Sequence, residues 1–319
     1  MKDQIPEFYL HEQSIALQTF LPVLHEHFPH SNPLYNRLQA PHNLPSRHCV
    51  FAATFPPSPG STLSVPEIYT ILFADRSRHE ESQIWAFNSL VTHLTPLSEG
   101  EQNTLSLHLI SAIHFLRALS IPSAPGWPFS PVLRFACVHQ SMTKSFRAIT
   151  ESTDSITRIT TWNAWMIPTS PLSSAPEESQ SKLPPGFTLS RVPEEQLDIV
   201  LSTSEIKRQP STYLVLPSVG VLNESDKLVA WAYIGIDGSL ATLYVLPGYR
   251  GRGLATHVAM ELLRRLARGE YADLGYAGSS GWVHADVKMG NEGSEGVMRA
   301  LGGEVWWVSS YLLVDGDRL

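Results

Sequence analysis

The chain has 319 residues, more than one compact core usually holds, so we expect two lobes. With 43% hydrophobic and 17% charged residues, its composition is that of a globular protein and excludes a disordered or fibrous chain. The formal net charge of -7 argues against a nucleic-acid-binding surface, which would need a basic face.

Cysteine usage and the lack of long apolar runs bear on location and on metals. Cys49 and Cys137 stand far apart without CxxC spacing, which predicts neither a disulfide framework nor a zinc site. His25, His27 and His30 approach metal spacing but have no acidic or cysteine partner, so no metal is expected. No secretory pattern is visible, and no apolar run approaches the ~20 residues needed to cross a bilayer. We expect a cytoplasmic protein, monomeric or weakly dimeric, with no membrane or nucleic-acid partner.

The first half of the chain shows alternating helical and strand patterns. The predicted helices cover residues 8–28, 79–94 and 98–119, and the predicted strands cover residues 48–54, 67–74, 132–139 and 156–167. A long polar run rich in Pro and Ser follows, which is typical of a boundary between domains. We therefore expect a first lobe over 1–170, a linker over 171–186 and a second lobe over 187–319.

The second half has a clearer order of elements. Helices are predicted at 193–205, 253–267 and 292–301, and strands at 211–223, 228–236, 240–246, 281–287 and 304–314. The dipeptide Asp237-Gly238 predicts a hairpin between two of these strands, and Asp237 is interpreted as a turn residue. Antiparallel strands alternating with helices predict an α/β or α+β lobe. The two halves have similar element orders, without a sequence identity that would prove a repeat.

The stretch "YVLPGYRGRGLATH" at 244–257 joins a predicted strand to a predicted helix. The helix has one apolar stripe at four-residue spacing, formed by Leu254, Val258, Leu262 and Leu266. Gly251 and Gly253 remove side chains just before its first turn, where backbone N–H groups are unpaired. These amides can contact an anion directly, which predicts a phosphate-binding helix N-terminus. The alternative is a glycine-rich helix start that binds nothing.

Three phosphate-loop patterns compete for this junction. A Walker A loop needs Lys and then Ser or Thr after its last glycine, where this chain has Leu254 and Ala255. A dinucleotide fingerprint needs a third glycine where Thr256 stands, and its strand belongs to a parallel unit rather than to a hairpin. The pattern R-x-x-G-x-A is met by Arg250, Gly253 and Ala255.

The third pattern, preceded by "LYVLPGYRG", resembles the pyrophosphate loop of GNAT-superfamily acyltransferases. Residues 187–319 look most like the C-terminal domain of glycine N-acyltransferase-like enzymes, and the first half is similar in element order to that family's N-terminal domain. The resemblance implies a two-lobed GNAT fold with a mixed, mostly antiparallel sheet flanked by helices. The resemblance leaves open whether the chain is a tandem of two GNAT-like halves. In that case the first half would be degenerate and would lie on the acceptor side. The resemblance also implies acetyl-CoA or another acyl-CoA as co-substrate, bound by the second lobe.

The resemblance implies which residues hold this co-substrate. The thioester would lie along Tyr244, Val245 and Leu246, with the amide of Val245 or Leu246 facing its carbonyl oxygen. The pyrophosphate would be held by Arg250, Gly251, Arg252, Gly253, Leu254, Ala255 and Thr256. Asn291 and Ser294 occupy the positions of the GNAT segment that meets the pantetheine arm.

Two positions depart from the family pattern. Ser239 stands where glycine N-acyltransferase-like enzymes carry a Glu, and Met298 stands where many GNAT enzymes carry a Tyr that protonates the leaving thiolate. An amine acceptor with a pKa of about 10.4 is protonated at neutral pH, so a base is needed.

The next strand offers a replacement for the missing base. His284 and Asp286 alternate onto one face of that strand, and His284 has a suitable intrinsic pKa for a base that Asp286 could orient. Tyr311 on the final strand is the candidate acid, although core packing is an equally good interpretation. The alternative is that His284 and Asp286 are strand residues with ordinary hydrogen-bond partners.

Three functions are compatible with these features. The leading hypothesis is an acyl-CoA-dependent N-acyltransferase that moves an acetyl or other short acyl group to a small-molecule amine or amino acid. The departures at Ser239 and Met298 motivate a non-catalytic CoA-binding or interaction protein as the first alternative. The second is a GNAT-fold enzyme of another reaction type, a decarboxylase or thioester hydrolase.

Overall fold

The computed structural model describes residues 5–44, 48–57, 65–75, 81–93, 95–119, 132–174 and 183–319. The helices are α1 (Gln13–His25), α2 (Asn32–Gln39), α3 (Glu99–Ala118), α4 (Gln140–Thr150), α5 (Ser170–Ser174), α6 (Leu197–Thr203), α7 (Pro210–Leu214), α8 (Leu254–Ala267) and α9 (Glu292–Ala300). The strands are β1 (Tyr9–Leu10), β2 (Val50–Ala53), β3 (Thr70–Ala74), β4 (Ile84–Asn88), β5 (Val132–His139), β6 (Ile156–Pro168), β7 (Phe187–Ser190), β8 (Ser218–Asn223), β9 (Leu228–Ile234), β10 (Leu240–Val245), β11 (Trp282–Val287) and β12 (Glu304–Asp315).

The chain forms two compact units. The first consists of Met1–Asn163 with Trp307–Leu319, and the second of Ala164–Trp306. The C-terminal residues belong to the first unit because β12 pairs there with β5, with Leu313 opposite Arg134. The predicted linker at 171–186 lies partly outside the described residues, and the domain limits at 170 and 187 stay predictions.

The first unit is built on a mixed sheet with the strand order β1-β2-β3-β4-β5-β12. Its neighbouring strands run antiparallel except β4 and β5, which run parallel. The predicted helix at 98–119 is confirmed as α3, which begins with a capping box. Ser98 Oγ accepts the N–H of Glu101 (3.3 Å), and the Glu101 carboxylate accepts the N–H of Ser98 (2.7 Å).

Replacing Ser98 by Ala is expected to lower the free energy of unfolding by about 1 kcal/mol, since a helix N–H loses its side-chain acceptor. Ser106→Ala is the matched control, because Ser106 lies inside α3, where Ala is the better helix former. Chemical denaturation monitored by circular dichroism measures both variants. Equal effects would contradict the capping role.

The predicted helix at 79–94 is wrong. Residues 84–88 form strand β4, followed by a 3-10 turn at Ser89–Thr92, and residues 79, 80 and 94 lie outside the described residues. The strand lies between β3 and β5 with Ile84 and Trp85 fully buried, so burial within a sheet outweighs the helical pattern.

Three other expectations for helices need correction. The helix predicted at 8–28 begins only at Gln13, because residues 9–10 pair with β2. The first part of the strand predicted at 211–223 is the helix α7, whose first residue Pro210 fits an N1 position. Helix α4 was not predicted, although Met142, Ser145 and Phe146 are buried at helical spacing along it. Helices α2 and α5 and strand β7 were not predicted either, and the other predicted elements begin and end within four residues of their predicted limits.

The second unit contains an antiparallel four-stranded sheet of order β10-β9-β8-β7. The hairpin predicted at Asp237-Gly238 is confirmed, with Leu240 opposite Ile234. Strand β11 lies beside the end of β6, where the N–H of Thr169 donates to Gly281 O (2.9 Å). Helix α8 packs on β8, β9 and β10. This is the α/β architecture predicted for the second lobe.

The core of the second unit forms between helix α8 and the strands. The predicted stripe is confirmed, since Leu254, Val258, Leu262 and Leu266 are each at most 3% exposed. Alternate residues of β11 join the same core, namely Val283, Ala285 and Val287. Strand β11 therefore turns its other face, with His284 and Asp286, away from this cluster. Within the described residues, no helix is both long and apolar enough to span a membrane.

Candidate functional site

Strand β10 ends the four-stranded sheet and is locally irregular. Its pairing register with β9 shifts between Ala241 and Tyr244, which marks a β-bulge. Thr242, within the bulge, has φ 52°, a left-handed conformation that a β-branched residue rarely adopts. Such strain costs about 1–3 kcal/mol and persists where surrounding structure holds it, often at functional sites. The bulge is thus a candidate for re-aiming backbone groups at the edge of the sheet.

The backbone amides at the end of β10 face in opposite directions. The N–H of Leu246 donates to Val229 O (2.9 Å), so this predicted oxyanion donor is already engaged with β9. Because antiparallel pairs alternate, the N–H of Val245 faces away from β9, toward the outer edge of β10. The carbonyl of Val245 accepts Arg250 Nε (3.1 Å), in agreement with that direction. Of the two predicted donors, only Val245 stays a candidate.

The loop between β10 and α8 takes its shape from two glycines. Gly251 and Gly253 both have φ 75°, where any residue with a side chain is strained. A Cβ on Gly251 would meet no atom within 4 Å, and one on Gly253 would meet only His257 Cδ2 at 3.9 Å. The need for glycine is therefore conformational, and the space outside the loop is open to a ligand.

Helix α8 begins without a side-chain cap. Its N-cap is Gly253, which has no side chain, and the first backbone hydrogen bond runs from His257 N to Gly253 O (3.2 Å). The amides of Leu254, Ala255 and Thr256 precede that bond and have no acceptor inside the helix. These N–H groups lie at the positive end of the helix dipole, an arrangement that favours an anion.

Two arginines add positive charge to this loop, and both are exposed. Arg250 lies over the ring of Tyr244 (5.5 Å), which in turn stacks on Trp231 (5.2 Å between ring centroids). Arg252 lies over the ring of Tyr249 (5.5 Å). The aromatic rings hold both guanidinium groups close to the loop backbone. Of the predicted pyrophosphate residues, Arg250, Gly251, Arg252 and Gly253 are therefore exposed, whereas the side chain of Leu254 is buried and only its backbone N–H could contact a ligand.

The two residues predicted to meet pantetheine form the start of α9. Asn291 is its N-cap, and its Oδ1 accepts the N–H of Ser294 (3.2 Å). This hydrogen bond leaves the Asn291 amide group as a donor at an exposed position. Met298, on the same helix, is 2% exposed and packs in the core, and its thioether has no proton to donate.

His284 on β11 is 1% exposed and faces the carboxylate of Asp237, with Nε2 3.8 Å from Oδ2. Burial opposes a charged imidazole, but attraction to Asp237 and Asp286 outweighs it, so the pKa of His284 is raised above 6.5. Burial likewise opposes a charged Asp237, yet His284 and hydrogen bonds from Ser239 lower its pKa. The two shifts share a cause, since the attraction between the imidazole and the carboxylate favours the charged form of each group.

Asp237 is a functional candidate that the sequence pattern did not reveal. It does lie in the β9–β10 turn, as predicted, but it is 7% exposed rather than solvated. The hydroxyl of Ser239 donates to Asp237 Oδ1 (2.6 Å). A buried acidic residue in a turn dipeptide is unusual, but its contact with a distant strand is visible only in three dimensions.

Asp286 and Tyr311 occupy different units of the chain. Asp286 is half-buried on β11, two residues after His284, and its negative charge helps to raise the pKa of His284. Tyr311 belongs to the first unit, where its hydroxyl lies 3.4 Å from Cys137 Sγ. The roles of Asp286 and Tyr311 in catalysis stay predictions.

The first unit contains a counterpart of the β10–α8 junction in β5 and α4. Cys137 in β5 has φ 53°, close to the φ 52° of Thr242 in β10. However, the N-terminus of α4 is capped, since His139 Nδ1 accepts the N–H of Ser141 (3.2 Å), and no glycine precedes this helix. The β5–α4 junction thus resembles the β10–α8 junction in having a strand residue with positive φ. It differs because the His139 side chain already caps an N–H group at the start of α4.

Comparison with known families agrees with this geometry. The family model "Acyl-CoA N-acyltransferase verG N-terminal domain" matches residues 3–165, half of the chain. The chain belongs to this acyl-CoA N-acyltransferase family. A second model, "FR47-like protein", matches residues 218–312, which include the loop and both β11 and α9. Together these matches place the protein in the GNAT superfamily, and the narrower likeness to glycine N-acyltransferase-like enzymes stays a prediction.

Solved structures extend the likeness over the whole chain. A Drosophila protein is 16% identical, with 96% of this chain and 98% of that chain covered and a TM-score of 0.66. A tandem GNAT protein from the clavulanic acid biosynthesis pathway is 13% identical over 97% and 98% of the two chains, with a TM-score of 0.50. At these identities the likeness shows the fold alone, and the predicted GNAT fold is confirmed. No curated protein sequence matches this chain.

Proposed function

We propose that this GNAT protein is an acyl-CoA-dependent N-acyltransferase that acylates a small-molecule amine. The observation that carries the proposal is the uncapped start of α8, reached through Gly251 and Gly253 in left-handed conformation and flanked by Arg250 and Arg252. It follows a bulged strand with an outward-facing edge. One element thus supports phosphate binding, and the neighbouring one supports binding of an extended pantetheine arm.

In this proposal the chain binds three parts of the co-substrate: the pyrophosphate, the pantetheine arm and the thioester. The amides of Gly251 to Thr256 hold the pyrophosphate, while the N–H of Arg250 donates to Pro247 O (3.3 Å) and leaves the Arg250 guanidinium to interact with the phosphates. The outer edge of β10 holds the pantetheine arm together with Asn291. The N–H of Val245 faces the thioester carbonyl oxygen. A donor aimed at the charge that develops there stabilises the transition state by about 3 kcal/mol in other acyl-transfer enzymes.

Acyl transfer then needs a neutral amine and a group that takes its proton. The amine nitrogen attacks the thioester carbon, the C–S bond breaks, and the CoA thiolate leaves. His284 is the proposed base, accepting the proton directly or through water, since it lies on β11, which contacts β10. A thiolate is a good leaving group, so the core position of Met298 does not prevent the reaction.

A spectrophotometric assay of thiol release tests the function. Acetyl-CoA and longer acyl-CoA substrates are incubated with a panel of amines and amino acids, and free CoA is measured with a thiol reagent. Amine-dependent release supports N-acyl transfer. Release without any amine indicates a thioester hydrolase, and tight CoA binding without release indicates the non-catalytic alternative, which the buried Met298 favours.

Arg252→Ala is expected to weaken CoA binding roughly fivefold, because one charge near a phosphate in water contributes about 1 kcal/mol. The loss should shrink as salt increases, since the Debye length falls from about 10 Å at 0.1 M to 3 Å at 1 M. Arg299→Ala is the matched control, because Arg299 is exposed on α9 and pairs with Glu295 (2.9 Å). Calorimetric titration at two salt concentrations measures both, and equal losses would contradict the role of Arg252.

We expect a single CoA per chain. His139 already occupies the start of α4 in the first unit, whereas the start of α8 has no side-chain cap. Isothermal titration of the full chain with CoA gives the stoichiometry. Two equivalents bound per chain would show that the first unit retains a site.

A further inference from the structure

The turn between β9 and β10 holds the Asp237 carboxylate in one orientation. Gly235 N donates to Ser239 O (2.7 Å), and Gly238 N donates to Gly235 O (3.0 Å), which closes the turn. Inside it, Asp237 Oδ1 accepts both the Ser239 N–H (3.2 Å) and the Ser239 hydroxyl (2.6 Å). These two hydrogen bonds fix one oxygen of the carboxylate, so the direction of the other oxygen is determined as well.

That second oxygen is the one that faces the imidazole. Asp237 Oδ2 lies 3.8 Å from His284 Nε2, an ion-pair distance slightly longer than a direct hydrogen bond. Gly235 makes room for this arrangement. A Cβ there would lie 2.5 Å from Ser239 Oγ and 2.9 Å from Asp237 Oδ1, too close for either side chain to stay in place. The turn formed by residues 235–239 thus leaves space for the Asp237 carboxylate and donates hydrogen bonds to it.

We propose that Asp237 is a positioning residue for the reaction, which orients the imidazole of His284 and tunes its proton affinity from the β9–β10 turn. The inference rests on the proposed function, in which His284 is the base. The carboxylate faces the histidine, while the Ser239 hydroxyl donates to the carboxylate. The acidic group therefore acts through His284, and Ser239 keeps it aimed.

The charge balance around His284 sets the expected pH dependence. Within the second unit, the charged groups that face His284 are Asp237 from the turn and Asp286 from its own strand. Both favour the protonated imidazole, and burial opposes it. Removing the charge of Asp237 leaves Asp286 alone against burial, so the pKa of His284 must fall. An opposite charge at 4–6 Å changes a pKa by about 1–3 units.

The experiment compares the full-length protein with its Asp237→Asn variant. Asparagine keeps the shape and an acceptor for Ser239 but removes the charge. We expect kcat to fall about 10- to 100-fold and the acidic limb of the pH–rate profile to move down by about 1 unit or more, with the KM for acyl-CoA unchanged. Ser239→Ala, which frees the carboxylate without removing it, should give a smaller loss. Asp226→Asn, in the exposed β8–β9 turn, is the matched control.

A second measurement does not depend on activity. The imidazole of His284 is titrated by NMR in protein with labelled histidine, and its signal is assigned by its loss in His284→Gln. A lower midpoint in Asp237→Asn supports the proposal. An unchanged midpoint, or an unchanged pH–rate profile, overturns it. If the unaltered protein transfers no acyl group while the midpoint still falls, the proposed function fails and the effect of Asp237 on His284 stands.

Discussion

Replacing Gly253 by Asp is expected to weaken CoA binding by more than 100-fold, about 3 kcal/mol or more. Two effects add here. A residue with a side chain at φ 75° is strained, and a carboxylate at the start of α8 places negative charge where the pyrophosphate would bind. Isothermal titration with CoA measures the affinity, and circular dichroism verifies that the variant is folded.

Gly302→Asp is the matched control for this substitution. Gly302 has φ 74° and no atom within 4 Å of a Cβ, but it follows the C-terminal end of α9 rather than the start of a helix. The control variant has the same backbone strain and the same added charge. Because this charge is not at the start of α8, the variant should keep its CoA affinity. If Gly253→Asp also kept its affinity, the assignment of the loop to CoA would be wrong.

Replacing His284 by Gln is expected to lower kcat about 100-fold or more, because a positioned base contributes roughly 10²–10⁴-fold. Glutamine keeps a polar side chain of similar size but cannot take a proton. CoA affinity should not change, since the loop proposed to bind the phosphates lies between β10 and α8 rather than on β11. His114→Gln is the control, because His114 is exposed on α3 in the first unit.

The pH profile separates catalysis from structure at this position. The base is active only when neutral, and the pKa of His284 is raised by Asp237 and Asp286. Below that raised pKa the imidazole is protonated, so the rate should rise with pH through a midpoint above 6.5, the ordinary value. His284→Gln should lose this limb. A variant with an unchanged rate from pH 6 to 9 would exclude His284 as the base.

The same ion pair links pH to folding stability. Because the pKa of His284 is raised on folding, its contribution is present below its unfolded value and is lost as the pH rises through the folded pKa. The pKa of Asp237 is lowered, so its contribution is present above its unfolded value and is lost as the pH falls. The contribution of this pair to the free energy of unfolding should therefore be greatest at pH values between the unfolded pKa of Asp237, 3.8, and that of His284, 6.5.

Local patterns in the sequence were sufficient to predict the glycine-rich loop before α8 and the helix itself. The apolar stripe of α8 depends on residues one turn apart, and the glycines act through their own φ angles. These are short-range effects, so Gly251, Gly253 and the helix behind them could be placed without the rest of the fold. The confirmed hairpin at Asp237-Gly238 has the same origin. The family resemblance carried by these motifs was confirmed as far as the GNAT superfamily.

Long-range packing decided what the local pattern did not. Residues 84–88 look helical in isolation, yet β3 and β5 on either side bury them as a strand, and the free energy of that burial exceeds a weak helical preference. The choice of Val245 over Leu246 likewise depended on which amide β9 engages. Pairing partners lie far apart along the chain, so periodicity carries no signal for them.

The sequence by itself therefore determined a GNAT lobe with a glycine-rich, uncapped helix start, since those features depend on neighbouring residues. It also placed His284 and Asp286 on one face of β11 through simple alternation. Only the tertiary structure brought Asp237 to His284, because the turn and the strand that carry them meet through folding. It showed that Asp237, predicted as a turn residue, is one partner of a buried ion pair, and that the Ser239 hydroxyl donates a hydrogen bond to its carboxylate.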